Sequence, residues 1–141
     1  MNNNIRFNKI VGTSDQIFAL YELLKDRTNN ISHKDMPNFY EHKKFVKNNP
    51  YKVWYLVYNE NKAIGTFYIK YDNSIGLKLS IQESFIVGLI IKYIKFNYKP
   101  EQAIASEVSS YFYCNVANKN KELIKVLTDL ELKPIQISYK F

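Results

Sequence analysis

Apolar and polar residues in the first part of the chain follow the periods of a strand and then a helix. Residues 5–11 alternate weakly, which predicts a strand. Thr13 and Gln16 follow as a capping box, in which each side chain can bond the backbone of the other residue. One apolar helix face comes next, at the i, i+3, i+4, i+7 spacing: Ile17, Leu20, Tyr21 and Leu24.

A second, shorter helix is expected after a polar loop. Asp35 is a good N-cap residue, and Pro37 is tolerated in the first turn of a helix. The sequence Asn48-Asn49-Pro50 ends this helix. Three residues share its apolar face: Phe39, His42 and Val46.

β-branched and aromatic residues then predict three consecutive strands, separated by the turn sequences NENK and DNS. The strands are expected at residues 51–58, 63–71 and 75–79. Short turns between neighbouring strands indicate an antiparallel meander. Residues 85–94 are apolar at nearly every position, which predicts a helix that is buried on most of its surface.

The last part of the chain predicts a strand at residues 111–116, an amphipathic helix and, after Pro134, an alternating final strand. Residues 103–110 favour neither helix nor strand. The inward residues of the last helix are expected to be Leu123, Ile124, Leu127 and Leu130. The element order β-α-α-β-β-β-α-β-α-β is that of an α+β protein.

Composition supports a single domain of this class, spanning residues 1–141. The length allows one domain with a core and leaves no room for two ordinary ones. A hydrophobic content of 46% excludes intrinsic disorder. Four glycines and four prolines are few for an all-β protein, which needs many turns.

A net charge of +7 and a pI near 9.3 would suit an anionic partner such as nucleic acid or a phosphorylated small molecule. The lysines are scattered along the whole chain, however. The densest basic group, residues 42–44 with Lys47, lies on one short helix. A solvated basic surface accounts for this distribution, so we expect neither a specific nucleic acid partner nor a membrane.

Cysteine content and the first residues indicate where the protein resides. Cys114 is the only cysteine, so an intrachain disulfide cannot form, and no metal site is expected. The sequence MNNNIRFNKIV lacks the pattern of a signal peptide. The apolar run 85–91 is too short to cross a bilayer. We expect a soluble, cytoplasmic protein.

Two stretches, together with the element order, resemble the GNAT acyltransferases (Gcn5-related N-acetyltransferases). Residues 116–132 are similar to the family's final strand–helix signature: Asn120 takes the place of its asparagine, and residues 130–132 that of its Leu-Gly-Phe ending. The stretch ISHKDMPNFYEHKKFVKNNPYKVWYLVYNENKAIGTFYIK resembles the branch that acetylates nucleotide-linked amino sugars. The resemblance implies a GNAT-like three-layer fold, with about four helices and a mixed, mostly antiparallel sheet of about six strands.

The resemblance implies acetyl-CoA as the co-substrate. In the family the turn into the central helix reads Gln/Arg-x-x-Gly-x-Gly/Ala, and its N–H groups bind the pyrophosphate. Counted from Gln82, Phe85 and Val87 replace the small residues; a shift of two puts Val87 and Leu89 there. The N–H donors persist, but the bare backbone is lost. The site is either rebuilt, with Ser84 and Phe85 contributing, or degenerate in a protein that no longer transfers acyl groups.

The strand before this turn is expected to hold the thioester-bearing arm. In the family it parts from its neighbour, and the pantetheine arm pairs with the free main-chain groups as an added strand would. Leu77, Lys78 and Leu79 match that position. The resemblance also assigns Asn120 to the CoA site, which is compatible with a role as a helix cap.

Transfer to an amine requires a base for the amine and an acid for the leaving thiolate. The tyrosine that many family members place on the last helix falls on Leu127, so the usual acid is absent. His42 is the candidate catalytic residue, since imidazole titrates near neutral pH. The alternative is a packed histidine bonded to a backbone carbonyl. His33 is expected to be solvated, and Glu83 to be a favourable first-turn charge for the helix dipole.

The implied function is acetyl-CoA-dependent N-acetylation of a small amine, with a nucleotide-linked amino sugar as the first candidate. The competing hypothesis is a catalytically degenerate GNAT-fold domain that serves as a binding or assembly module. That hypothesis predicts a donor cleft filled by Phe85 or Ile86. Trp54 and Cys114 are expected to be structural, and a homodimer is compatible with either function.

Overall fold

The computed structural model describes residues 4–28 and 36–141. His33 and Asp35 lie outside the described residues, so the prediction that His33 is solvated stays a prediction, whereas the predicted cap of the second helix can be compared with the described start of that helix. Within the described residues the chain forms five strands and four helices, in the predicted order except for the final strand. The strands are β1 (Ile5–Lys9), β2 (Val53–Asn59), β3 (Lys62–Ile69), β4 (Ser74–Leu79) and β5 (Tyr113–Cys114). The helices are α1 (Ser14–Thr28), α2 (Phe39–Lys47), α3 (Ser84–Asn97) and α4 (Lys121–Asp129).

The strands form one mixed sheet in the order β1-β2-β3-β4-β5. Strands β2, β3 and β4 form the antiparallel meander that the short turns predicted. Strand β1 is antiparallel to β2, and β5 runs parallel to β4. The register of β2 against β3 shifts between Val57 and Tyr58, where the partner residue changes from Gly65 to Ala63. This bulge increases the local twist of the sheet. The α+β class is confirmed, with five strands where about six were expected.

The predicted capping box starts α1 and extends into the preceding loop. Gln16 N donates to Thr13 Oγ1 at 3.3 Å, and Gln16 Oε1 accepts from Thr13 N at 3.3 Å. The same oxygen accepts from Val11 N at 2.8 Å and Gly12 N at 3.0 Å, while Gln16 Nε2 donates to Lys9 O at 2.8 Å. One buried side chain therefore satisfies the backbone that joins β1 to α1.

Helices α1 and α2 bury their apolar residues together with β2. Each apolar side chain that becomes buried between these elements stabilises the fold by about 1.5–3 kcal/mol relative to an exposed position. The prediction that Trp54 belongs to the core is confirmed. The buried cluster consists of Ile17, Leu20, Val46, Trp54 and Leu56.

Helix α2 begins later than the sequence predicted. Its N-cap is Asn38, whose backbone is extended (φ −72°, ψ 166°) and whose side chain accepts from Glu41 N at 2.8 Å. Asparagine caps a helix as well as aspartate does, so the cap forms after Pro37. Of the predicted apolar face, His42 and Val46 are buried, whereas Phe39 is 44% exposed.

The chain divides into two compact units: the first runs to Ile81 and adds Pro100–Asn115, and the second consists of Gln82–Lys99 and Val116–Phe141. In the second unit, α3 packs on α4. The predicted burial of α3 is confirmed at Ile86, Val87, Ile90 and Ile94. The single domain over residues 1–141 stays a prediction.

The inward face of α4 differs from the prediction by one position. Leu123 and Val126 are buried, whereas Ile124 is 38% exposed. A face that starts at Leu123 continues at i+3 and i+4, which are Val126 and Leu127. Ile124 is apolar but lies about 100° around the helix from Leu123, outside this face.

The final strand predicted after Pro134 does not form, because no described strand pairs with residues 135–141. An alternating pattern gives an extended chain one apolar face and one polar face, but a strand also needs a partner for its N–H and C=O groups. Residues 103–110 contain an isolated bridge between Ile104 and Val108. In the described part of the chain, no helix is long and apolar enough to cross a membrane.

Candidate functional site

Strands β4 and β5 part soon after they meet. Their ladder consists of Ser74 opposite Tyr113 and Ile75 opposite Cys114. From Gly76 onward, β4 pairs with β3 on one side and with no described strand on the other. The parting of the strands that the resemblance implied near Lys78 is therefore present, with its vertex at Ile75.

The direction of the β4 main chain follows from the hydrogen bonds at its two ends. Lys70 N donates to Ser74 O at 2.9 Å, and Ser80 N donates to Ile64 O at 2.8 Å. In each bond the residue on the β4 side, Ser74 or Ser80, has an even number, and its partner lies in β3 or directly after it. Residues along an antiparallel strand turn their N–H and C=O groups alternately toward and away from a given neighbour.

Leu77 and Leu79 consequently turn their N–H and C=O groups toward the open side of β4. Both residues lie beyond the two-residue ladder with β5. A strand edge of this kind can pair with any extended chain that offers complementary donors and acceptors. We call these main-chain groups of Leu77 and Leu79 the open edge.

Asn73 holds the vertex from which the two strands part. It is fully buried and adopts φ +71°, a left-handed conformation that asparagine tolerates. Its Nδ2 donates to Ser109 O at 2.7 Å and to Glu101 O at 3.1 Å, and its Oδ1 accepts from Glu101 N at 2.6 Å. Its carbonyl accepts from Tyr113 N at 3.2 Å, so one residue joins β4, β5 and the segment between.

Two glycines allow close approach next to the open edge. Gly65 pairs with Leu79 of β4. A Cβ at Gly65 would overlap the carbonyl oxygen of the preceding β4 residue, Lys78. A Cβ at Gly76 would overlap the ring and hydroxyl of Tyr68. The Tyr68 ring therefore lies directly over the main chain of β4, one residue beyond the vertex.

A cavity of about 630 Å³ extends from α1 and α2 across the sheet to the end of β4, where Lys78, Leu79 and Ser80 line it. It combines an aromatic lining with charges of both signs. The aromatic residues are Phe45, Tyr51, Trp54 and Tyr68, and the charged residues are Asp26, Arg27, Glu41 and Lys78. A mostly apolar cavity with a few polar groups is the usual form of a small-molecule site.

The aromatic residues of this cavity contact one another. Tyr51 and Tyr68 stack with centroids 4.0 Å apart and an interplanar angle of 11°, and Trp54 meets Tyr51 edge-on at 5.1 Å. Burial, with a smaller contribution from Tyr68, raises the pKa of Tyr51, so its phenol stays protonated at neutral pH. The buried Trp54 Nε1 has no hydrogen-bond partner among the described residues.

His42 lines the cavity from α2 but is packed against α1. Its Nε2 lies 3.0 Å from Ile17 O, which can only accept, so Nε2 carries the proton and Nδ1 is the remaining basic atom. The Tyr21 ring lies 5.1 Å away, centroid to centroid. Burial lowers the pKa of His42, which keeps the imidazole neutral. This is the geometry of the packed histidine; the catalytic role stays a prediction.

The predicted donor turn leads into an uncapped helix. Glu83 is the N-cap of α3 (φ −112°, ψ 143°) rather than a first-turn residue, and its side chain makes no cap hydrogen bond. Ser84 begins the helix, Phe85 is 53% exposed, and Val87 N donates to Glu83 O at 3.0 Å. The N–H groups of Ser84 and Phe85, at the start of α3, therefore receive no side-chain cap from Glu83.

Asn120 and Cys114 take structural positions. Asn120 is the N-cap of α4, and its side chain accepts from Leu123 N at 3.2 Å, which confirms the predicted role as a helix cap. Burial raises the pKa of the Cys114 thiol to about 11, so it is an unreactive thiol at neutral pH. Leu127, at the position of the family's tyrosine, is half-buried in α4.

The first compact unit brings together His42, Lys78 and Leu79, all of which line the cavity, and Leu77 on the open edge. The predicted residues Ser84, Phe85 and Asn120 belong to the second unit. Sequence reasoning missed Tyr68 and Gly76. Their proximity depends on the β3–β4 register, which places them opposite each other. The available signal was a glycine inside the strand that follows the short DNS turn.

No family model matches this sequence, and no curated protein does. A solved structure does match: "The crystal structure of a possible acetyltransferase from Clostridium difficile 630". The match has a TM-score of 0.61 at 10% sequence identity and covers 97% of this chain and 96% of the other. The chain therefore has an acetyltransferase-like α+β fold over nearly its whole length.

Proposed function

We propose that this protein is an acyltransferase that moves an acetyl group from acetyl-CoA to the primary amine of a small molecule. The open edge carries the proposal: in an acetyltransferase-like fold, main-chain groups at Leu77 and Leu79 that face no described strand offer a place for a pantetheine arm. The adjoining cavity supplies a place for the amine.

The residues present fit the CoA moiety. In the first compact unit, the open edge would pair with the pantetheine amides. In the second, the N–H groups of Ser84 and Phe85 at the start of α3 receive no side-chain cap from Glu83 and would suit phosphate oxygens. When bound, the thioester supplies an activated acetyl group. Phe85 and Val87 in place of small residues leave the donors but reduce the space around them. We expect binding that is weaker than that of a glycine-rich turn.

Tyr68 is the residue we assign to protonation of the leaving thiolate. Its hydroxyl lies over Gly76, one residue from the vertex, where an arm entering along the open edge would end. In the transfer, the amine nitrogen bonds to the acetyl carbon, the carbon–sulfur bond breaks, and the sulfur takes a proton. Tyr68 takes the role that Leu127 cannot fill.

The same cavity supports an amino sugar as the acceptor. Stacked aromatic rings such as Tyr51 and Tyr68 suit the flat apolar face of a sugar. Arg27 and Lys78 would bind the phosphates of an attached nucleotide, and Glu41 would hold the ammonium group before it loses its proton. The base that removes the proton from the amine is either the carboxylate of Glu41 or Nδ1 of His42.

Calorimetric titration with acetyl-CoA tests the donor site. Ligand at about 100 times its Kd should stabilise the fold by about 2.7 kcal/mol and raise the Tm. Leu79→Pro should weaken binding about tenfold or more, because proline removes the N–H on the open side while sparing the ladder with β3. Leu79→Ala is the matched control: it removes the side chain, keeps the N–H and should bind like the wild type.

Absence of heat and of any Tm shift at millimolar acetyl-CoA would contradict the proposed function. Turnover is then tested with nucleotide-linked amino sugars, polyamines and arylamines as acceptors. Tyr68→Phe should lower kcat and leave the acetyl-CoA Kd unchanged. Acetyl-CoA binding without transfer to any of these amines would instead favour the catalytically degenerate module, the function that the replaced glycines and Leu127 suggest.

A further inference from the structure

The segment after α4 has the side-chain pattern of a strand but no partner among the described strands. Residues 135–141, which we call the final segment, read IQISYKF. No described strand pairs with them. Their large apolar side chains are exposed to an unusual degree: Ile135 61%, Ile137 76%, Tyr139 82% and Phe141 117%.

These apolar residues occupy every second position. In an extended chain they would share one face, and Gln136, Ser138 and Lys140 would share the other. A segment with an apolar face and unpaired main-chain groups is a template for pairing with another strand. Within the same compact unit, Ile124 and Leu132 are also 38% and 42% exposed, which adds apolar surface.

The final segment is complementary to itself. In an antiparallel pair centred on Ser138, Ile137 of one copy faces Tyr139 of the other, and Ile135 faces Phe141, so both apolar faces coincide. On the polar face Lys140 lies opposite Gln136, and no two lysines oppose each other. Pro134, which has no N–H to donate, falls just outside the paired residues. A parallel pair would instead place Lys140 beside Lys140.

We propose that the final segments of two copies of this chain pair as antiparallel strands about a two-fold axis through Ser138. A second copy is the partner that offers seven complementary residues, whereas β5 offers a ladder of only two. The isologous arrangement repeats each contact twice. A two-stranded ribbon is marginal alone, so we expect a concentration-dependent dimer. This inference is independent of the proposed function.

Cross-linking tests the register directly. In a Cys114→Ser background, Ser138→Cys should give a disulfide-linked dimer on oxidation, because position 138 faces itself across the axis. Gln136→Cys is the matched control, since position 136 faces Lys140, and it should cross-link far less. The final segment lies outside the helices and the sheet, so neither change threatens the fold.

Sedimentation equilibrium supplies the second readout. Gln136→Glu places a carboxylate opposite Lys140 twice and should tighten the dimer about threefold or more, and Gln136→Lys should weaken it by a similar factor. Ile137→Asp should give a monomer. Three results would overturn the proposal: a monomer at all concentrations, equal cross-linking at positions 136 and 138, or a dimer whose dissociation constant is the same in all three variants as in the wild type.

Discussion

Burial gives His42 a protonation behaviour that can be measured without knowing the substrate. The imidazole is 5% exposed and donates from Nε2 to Ile17 O. Desolvation lowers its pKa from the usual 6.5 more than the backbone hydrogen bond raises it. The folded protein therefore binds a proton at this residue less readily than the unfolded chain does.

Stability should decrease on acidification because of this residue. Between the unfolded pKa near 6.5 and the lower folded pKa, the unfolded state holds more protons, so the free energy of unfolding rises with pH. We predict that His42→Gln removes most of the difference in unfolding free energy between about pH 5 and about pH 7.5. Urea denaturation at the two pH values measures it.

His33→Gln serves as the control for this titration, because the chain has two histidines. The loss of pH dependence should be larger in the His42 variant than in the His33 variant. Equal pH dependence in the wild type and the His42 variant would show that His42 does not have the lowered pKa that its burial implies.

At the scale of elements, the turn between β3 and β4 depends on Asn73. Its side chain bonds Glu101 and Ser109, which lie 28 and 36 residues away in the sequence. Asn73→Ala should destabilise the protein by about 2–4 kcal/mol, because it leaves buried backbone groups unpaired and forces alanine into a left-handed conformation.

Asn73→Gly separates the two causes. Glycine adopts φ +71° freely but makes no side-chain bonds, so it should lose about 1 kcal/mol less than alanine. Chemical denaturation of the three proteins gives the comparison. Equal stability of the alanine variant and the wild type would mean that the Asn73 bonds do not hold the vertex.

The open edge predicts an alternating pattern of amide exchange along β4. The N–H groups of Gly76 and Lys78 point to β3 and should exchange slowly, whereas those of Leu77 and Leu79 should exchange fast. Saturation with acetyl-CoA should slow the exchange of Leu77 and Leu79. Amide exchange followed by NMR resolves these residues one by one.

Uniform exchange along β4 in the free protein would exclude the open edge itself. Alternation that acetyl-CoA leaves unchanged would separate the edge from the proposed donor site. Gly76 and Lys78, whose N–H groups are already bonded in the ladder with β3, are internal controls in both measurements.

For the whole molecule, the sequence patterns predicted those features of the fold that are determined by residues close together in the chain. The period of α1, its capping box and the meander of β2, β3 and β4 were all predictable, because near neighbours determine each of them. The N-cap of α2 was predicted at the wrong residue, since Asp35 and Asn38 have equal capping chemistry and the sequence does not choose between them.

Features that depend on long-range register could not be predicted in the same way. The contact of Tyr68 with Gly76, the cavity lining and the bonds of Asn73 all arise only when distant segments are placed together. The final segment illustrates the opposite case. Its alternation predicted a strand, and that prediction was wrong, because a strand forms only where a partner lies alongside.

The open edge also bears on how such a protein can change over time. Every residue other than proline carries both a backbone N–H and a C=O, so replacing Leu77 or Leu79 by another such residue alters little of what β4 offers to a ligand. A binding surface built from the backbone leaves its sequence free to drift. A fold of this kind can then recur without a recognisable motif: this chain and the solved structure of a possible acetyltransferase share their fold at 10% sequence identity.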